Sequence, residues 1–156
     1  MTTRDFLGQI EMLRRKIENK MEERYRLQQL AYRITVPIEG ERVKSTSNPD
    51  RMTDAVAKII SCERDLNSVI EQFIDKRNEI IGLIDTMESQ NSYSVLTYRY
   101  VQGLSDKDIA IKLGINSLSG VKKIHKNALI EFENKFGNIY LTKEDIKETE
   151  RKKIYD

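Results

Sequence analysis

The chain has 156 residues, of which 27 are Lys or Arg and 25 are Asp or Glu, so its net charge is only +2. One Cys and one His permit neither an intramolecular disulfide nor a structural zinc site. The sequence has no apolar run that could cross a bilayer and no secretion signal, so we expect a cytoplasmic protein. Few Gly and Pro among many Glu, Lys and Arg favour an all-α fold. The small net charge argues against a strongly basic nucleic-acid binder, unless the charge is unevenly distributed.

The first predicted helix covers residues 5–34. Its apolar residues recur at steps of three or four from Phe6 to Tyr25, which is the period of one helix face. The pattern breaks at residues 35–48, a predicted linker that contains Pro37 and a polar Ser-Thr-Ser-Asn run. Pro49 then begins a second helix, with Ser47 or Asn48 as its N-cap.

The second predicted helix continues to about residue 88 and carries a long apolar stripe. Between Met52 and Met87, nine of eleven positions spaced alternately by four and three residues are apolar. This period is typical of a coiled coil, although a core helix of a bundle is an equally good interpretation. Residues 1–88 therefore predict a long, coiled-coil-like helical hairpin that forms a homo-oligomer, a dimer or larger. The residues predicted for oligomerisation are Val56, Ile59, Leu66, Ile70, Phe73, Ile80 and Ile84.

Residues 89–137 predict a helix-turn-helix domain. After a short helix at about 92–102, Ser105 caps a second helix over 106–113, and Gly114 ends it. Asn116 or Ser117 then caps a third helix that runs to about Phe136, with His125 half-exposed or facing phosphate. The spacing is that of a helix-turn-helix, although an ordinary helical hairpin would give a similar pattern. Residues 138–156 predict a charged C-terminal tail with a last short helix after Thr142.

Four segments of this region resemble the fourth region of bacterial sigma factors: YRYVQGLS at 98–105, DIA at 108–110, KLGI at 112–115 and VKK at 121–123. With the charged helical N-terminal part and the Ser-Asn-Pro-Asp linker, the whole layout resembles the ArpU-like phage transcriptional regulators. This resemblance implies a regulator of phage or prophage genes, often late genes, in the bacterial host cell. It also implies double-stranded DNA and RNA polymerase as partners.

The sequence departs from the sigma pattern just before the third helix. Five residues separate Ile115 from Val121 where the pattern usually has four, and Gly120 stands where Thr or Ser is usual. Either the turn is one residue longer, or the third helix begins later, near Gly120. The two alternatives turn different side chains toward a DNA groove.

The charge is unevenly distributed along the chain. Residues 105–127 hold five Lys and two Asp, giving +3, whereas residues 52–88 hold four basic and eight acidic side chains, giving −4. We therefore predict that the helix at 117–127 reads the major groove, although a lysine-rich face can also be merely solvated. The candidate DNA-binding residues are Ser105, Ser117, Ser119, Lys122, Lys123, His125 and Lys126.

Other functions have weaker signals. The chain has no Gly-rich phosphate loop, no metal-ligand set and no nucleophile elbow, so we expect no enzyme activity and no cofactor. A phage DNA-packaging recognition subunit of the small-terminase kind would also join a helix-turn-helix to an oligomerising hairpin. A coiled-coil interaction module that never contacts DNA is the third alternative.

Overall fold

The computed structural model describes residues 1–35, 49–142 and 144–145, and within them every regular element is a helix. The predicted all-α class, with a long N-terminal hairpin followed by a helix-turn-helix, is confirmed. The helices are α1 (Thr3–Thr35), α2 (Pro49–Ile84), α3 (Gln90–Leu96), α4 (Asp106–Leu113) and α5 (Leu118–Tyr140). None of the described helices is long and apolar enough to cross a membrane. Of the predicted linker at 35–48, Thr35 belongs to α1, and residues 36–48, with the predicted N-caps Ser47 and Asn48, lie outside the described residues.

The chain forms two compact units. The head unit combines residues 1–12 with the described residues from 74 onward, and the hairpin unit comprises the described residues of 13–73. Both α1 and α2 contribute to each unit. The head unit contains α3, α4 and α5 complete.

The core of the head unit is formed by fully buried apolar side chains of α3, α4 and α5, namely Val95, Leu96, Ile109, Val121 and Phe132. The start of α1 packs against the end of α5, because the Phe6 ring stacks on Tyr140 with centroids 4.4 Å apart. The Thr3 hydroxyl also donates a hydrogen bond to Glu133 Oε2 at 2.7 Å. These contacts hold α5 against α1.

The hairpin unit pairs the later part of α1 with the earlier part of α2. Cys62 Sγ lies 3.6 Å from the backbone oxygen of Lys20, and Lys20 Nζ lies 3.6 Å from Asp65. Lys20 stands 15 residues before Thr35 at the end of α1, and Cys62 stands 13 residues after Pro49 at the start of α2. Contacts at matching distances from the connecting segment indicate two helices that run in opposite directions.

Part of the predicted oligomerisation stripe is covered within this one chain. Leu66 is buried in the hairpin unit, and Ile80 and Ile84 are buried in the head unit. The expectation that these three side chains lie on an open oligomerisation face is therefore wrong, because they stabilise the fold of the chain itself. Ile59, Ile70 and Phe73 are half-buried, and Val56 is exposed.

Several helix boundaries differ from the predicted ones. The second helix ends at Ile84 rather than near residue 88, where the N–H groups of Thr86 and Met87 bond to the backbone oxygens three residues earlier. Ser89 then caps α3 by accepting a hydrogen bond from the Ser92 N–H at 3.3 Å. The last helix extends to Tyr140 rather than Phe136. At the predicted start of a last helix, the Asp145 N–H bonds to the Thr142 hydroxyl at 3.2 Å, and the residues after Asp145 lie outside the described part of the chain.

Candidate nucleic-acid interface

The turn between α4 and α5 depends on Gly114, which has a left-handed backbone conformation, and on Ile115, whose N–H bonds back to α4. Gly114 has φ 66° and ψ 29°, a conformation that side chains disfavour. The N–H of Ile115 then bonds to the backbone oxygen of Ala110 at 2.9 Å, which closes the end of α4. Ala110 is buried with its small side chain, as expected where two helices cross closely.

Gly120 is explained by the packing of this turn. A Cβ atom at this position would lie 2.8 Å from Cγ2 of Ile115 and 3.1 Å from the Ser117 hydroxyl. The glycine therefore leaves the space that the isoleucine needs to fill the angle between the two helices. The departure from the sigma pattern thus has a local steric cause.

The start of α5 is fixed by its N-cap. The Ser117 hydroxyl accepts a hydrogen bond from the Gly120 N–H at 3.1 Å, and the helix begins at Leu118. Of the two alternatives for the extra residue, the longer turn is confirmed and the later helix start near Gly120 is wrong. The turn comprises residues 114–117.

Three lysines stand on the outer surface of the first turns of α5. Lys122, Lys123 and Lys126 are all exposed, and none of them forms an ion pair with another described residue. No acidic residue occurs between positions 117 and 127. Lys122 and Lys126 are four residues apart and so share a helix face. The segment is therefore a concentrated positive surface on a rigid element.

Two of the three candidate serines, Ser105 and Ser117, cap helices, and Ser119 bonds to one of these caps. Ser119 donates a hydrogen bond to the Ser117 hydroxyl at 3.2 Å, so these two side chains meet at the start of α5. Ser105 begins a different helix, where its hydroxyl donates to Asp108 Oδ2 at 2.8 Å and accepts from the Asp108 N–H. All three residues are exposed. Their first role is local, and a hydroxyl that caps a helix still has room to contact phosphate.

The expectation that His125 faces phosphate or lies half-exposed is wrong. It is only 5% exposed, and its Nε2 forms a hydrogen bond with the Tyr100 hydroxyl at 2.9 Å. Burial, with the nearby positive charge of Arg99 and Arg4, lowers the pKa of His125 to about 4. His125 is therefore a neutral residue of the core and is not a candidate for contact with DNA.

A π-helical segment at Thr97–Val101 holds the partner of this histidine. It continues α3 and ends where the Gln102 N–H bonds to the Thr97 backbone oxygen at 3.0 Å. The ring centroids of Tyr100 and His125 are 5.7 Å apart, so the segment packs against α5. Arg99, from the same segment, forms an ion pair with Asp106 at the start of α4. The segment therefore contacts both helices of the helix-turn-helix.

Sequence reasoning missed three exposed side chains close to the lysines. Leu118 is the first residue of α5 and half-exposed, while Asn116 and Asn127 are exposed. Asn127 lies four residues after Lys123, and this helical spacing could have identified it. Asn side chains pair well with adenine, and apolar side chains contact the thymine methyl group. Exposed side chains of the types that can contact bases therefore lie beside the lysines.

Among the residues that the structure describes, no group of three or more His, Cys, Asp or Glu side chains could hold a metal ion. The described surface of α5 offers charge and hydrogen-bond donors instead. No protein-family model, no curated protein and no solved structure matches this chain.

Proposed function

We propose that this chain binds double-stranded DNA as a transcriptional regulator, with the start of α5 in the major groove. The observation that carries the proposal is the set of three exposed lysines on the second helix of a helix-turn-helix, free of acidic neighbours. An α-helix fits the major groove, and the first turns of a recognition helix are the part that reaches base edges.

The positions of the charges suit this docking. Lys122, Lys123 and Lys126 together can neutralise up to about three phosphates, and each neutralised phosphate releases counterions. On α4, the helix that crosses the DNA backbone in such complexes, Lys107 and Lys112 are also exposed. The Lys112 ammonium lies 5.4 Å from the centroid of the Tyr98 ring, which orients this long side chain.

Mutation of the lysine surface tests DNA binding. The variant Lys122→Glu, Lys123→Glu and Lys126→Glu reverses three charges at exposed positions, so the fold should persist. We expect at least a hundredfold weaker binding to duplexes with a random central segment, measured by fluorescence anisotropy.

A matched control separates this effect from total charge. The variant Lys16→Glu, Arg51→Glu and Lys58→Glu makes the same change of net charge at three exposed positions of α1 and α2. This control should retain most of its affinity. Equal loss in both variants would mean that binding follows net charge alone, and no loss in the α5 variant would contradict the proposal.

The choice of transcription among DNA-dependent processes rests on the resemblance of residues 98–123 to the fourth region of sigma factors. A contact with RNA polymerase and a role in phage late genes belong to the same proposal. A genome-wide map of bound sites tests it. Enrichment at promoters is expected, whereas enrichment at a single DNA-packaging site would favour the packaging alternative.

A further inference from the structure

The start of α1 is a well-fixed turn that packs on α5. The Thr2 hydroxyl accepts a hydrogen bond from the Asp5 N–H at 3.2 Å, and Asp5 Oδ2 accepts one from the Thr2 N–H at 2.9 Å. This reciprocal capping fixes the first turn of the helix. Within the turn, the buried Thr3 side chain bonds to both Glu133 and Tyr140 of α5. The first turn of α1 is therefore held at a defined place on α5.

The face of α5 that bonds to α1 is also the face that presents two of the lysines. Residues that are 7, 11 or 18 positions apart point in nearly the same direction from an α-helix, because these spacings are close to two, three and five full turns. Glu133 stands 7 residues after Lys126 and 11 after Lys122, and Tyr140 stands 18 after Lys122. Lys122 and Lys126 therefore lie on the same side of α5 as the start of α1.

Arg4 lies on this turn with its side chain exposed, whereas Thr3 and Phe6 are buried. Within the described part of the chain, Arg4 forms no ion pair. The acidic residue next to it, Asp5, accepts hydrogen bonds from the backbone and the hydroxyl of Thr2 instead. Arg4 is therefore an exposed positive charge without an ionic partner among the described residues.

The charge of Arg4 also acts on the middle of α5. Burial of the ring and the charge of Arg99 lower the pKa of His125, and the charge of Arg4 contributes to the same shift. Charges change a pKa strongly only over short distances, so the Arg4 guanidinium lies near His125, which directly precedes Lys126. Arg99 forms an ion pair with Asp106, whereas Arg4 can still bind an anion.

We propose that Arg4 belongs to the DNA-binding surface and contacts a backbone phosphate beside the groove that α5 enters. The inference rests on the proposed function, since it extends the surface of the α5 lysines to a residue of α1. A guanidinium donates two parallel hydrogen bonds to a phosphate, whereas a lysine ammonium binds it as a point charge. Contacts to phosphate fix the orientation of a protein on the duplex and carry no sequence information themselves. Arg4 therefore positions α5 and does not read bases.

The salt dependence of DNA binding by the full chain tests this contact. Arg4→Gln removes one charge at an exposed position, so circular dichroism and the melting temperature should stay unchanged. Binding is measured on duplexes with a random central segment. Because each phosphate contact contributes about 0.9 to the slope of log affinity against log salt, we expect the slope to become shallower by about 0.9. The affinity at about 0.1 M salt should fall by about threefold to tenfold.

Two further variants are the controls. Lys16→Gln removes the same charge from an exposed position of α1 in the hairpin unit and should leave the slope unchanged. Arg4→Lys keeps the charge and should keep the slope, with a smaller loss of affinity because the two-point contact with the phosphate is lost. A merely structural role of Arg4 would change the melting temperature and leave the slope as it is.

The two proposals can fail separately. If the line for Arg4→Gln is parallel to that of the unchanged chain, or if Lys16→Gln flattens the slope equally, the Arg4 contact is wrong. The proposed function survives either result as long as neutralising Lys122, Lys123 and Lys126 makes the slope shallower. If neither the Arg4 variant nor the lysine variant changes the slope, DNA binding through α5 is itself wrong.

Discussion

The head unit and the hairpin unit differ in how completely they cover their apolar residues. The head unit buries large side chains such as Leu96, Ile109 and Phe132 completely, with three helices and the start of α1 around them. The hairpin unit has a thin core that includes Ala55 and Cys62, and it leaves Tyr25 and Ile60 exposed. The comparison teaches that amphipathic helices can cover their apolar residues fully in one region of a chain and leave some of them exposed in another.

Large-to-small substitutions should have the largest effect, and they should cost more free energy of unfolding in the head unit than in the hairpin unit. Phe132→Ala removes a fully buried ring that contacts Phe6 and Phe136, and we expect a loss of about 3–5 kcal/mol in the free energy of unfolding. Leu66→Ala in the thinner core should cost about 2 kcal/mol, because part of its surroundings can relax into solvent. Urea unfolding, followed with amide exchange in each unit, measures both losses. Equal losses would mean that the two cores are equally well packed.

Acid should weaken the head unit through His125. Its pKa is about 4 in the fold and about 6.5 in the unfolded chain, so between these values only the unfolded chain gains the proton. Stability is thus fully present above pH 6.5 and falls by up to about 3 kcal/mol as the pH drops to 4.

The variant His125→Gln isolates this effect. It removes the titrating group and should flatten the decline in the free energy of unfolding between pH 6.5 and 4, whatever its effect at neutral pH. A slope that survives the substitution would assign the acid sensitivity to other groups.

Gly120 offers a smaller, local test of the turn. A methyl group there must displace Ile115, so Gly120→Ala should lose about 1 kcal/mol despite the better helix propensity of alanine. Gly82→Ala is the control, because a Cβ at Gly82 meets nothing within 4 Å, and it should gain up to about 1 kcal/mol. Thermal unfolding measures both changes, and a stabilising Gly120→Ala would show that Ile115 does not need this space.

Local signals in the sequence predicted the elements well. Ser105 and Ser117 cap helices, and Gly114 ends one, because such residues act through their own backbone or nearby N–H groups. No local signal in the sequence marks the π-helical turn, and its Tyr100 contacts His125, a residue 25 positions later in the chain. The burial of His125 was readable in principle, because it continues the buried spacing of Val121, Ala128 and Phe132.

The sequence of α2 alone does not predict which of its apolar residues are buried and which are exposed. Ile60 and Leu66 are both apolar and both fit a helical period, yet one is exposed and the other buried. The face of α1 that packs on α2 decides between them. Sequence periodicity identifies apolar positions, and the partner helix determines which of them stay open.

The salt dependence of DNA binding tests the central claim most directly. Lys122→Gln, Lys123→Gln and Lys126→Gln remove three charges without introducing repulsion, and the affinity of this variant and of the unchanged chain can be compared over a range of salt concentrations. If the lysines contact phosphates, the slope of log affinity against log salt should become shallower by up to about 3. Parallel lines of equal slope would show that the α5 lysines do not contact DNA and would contradict the account.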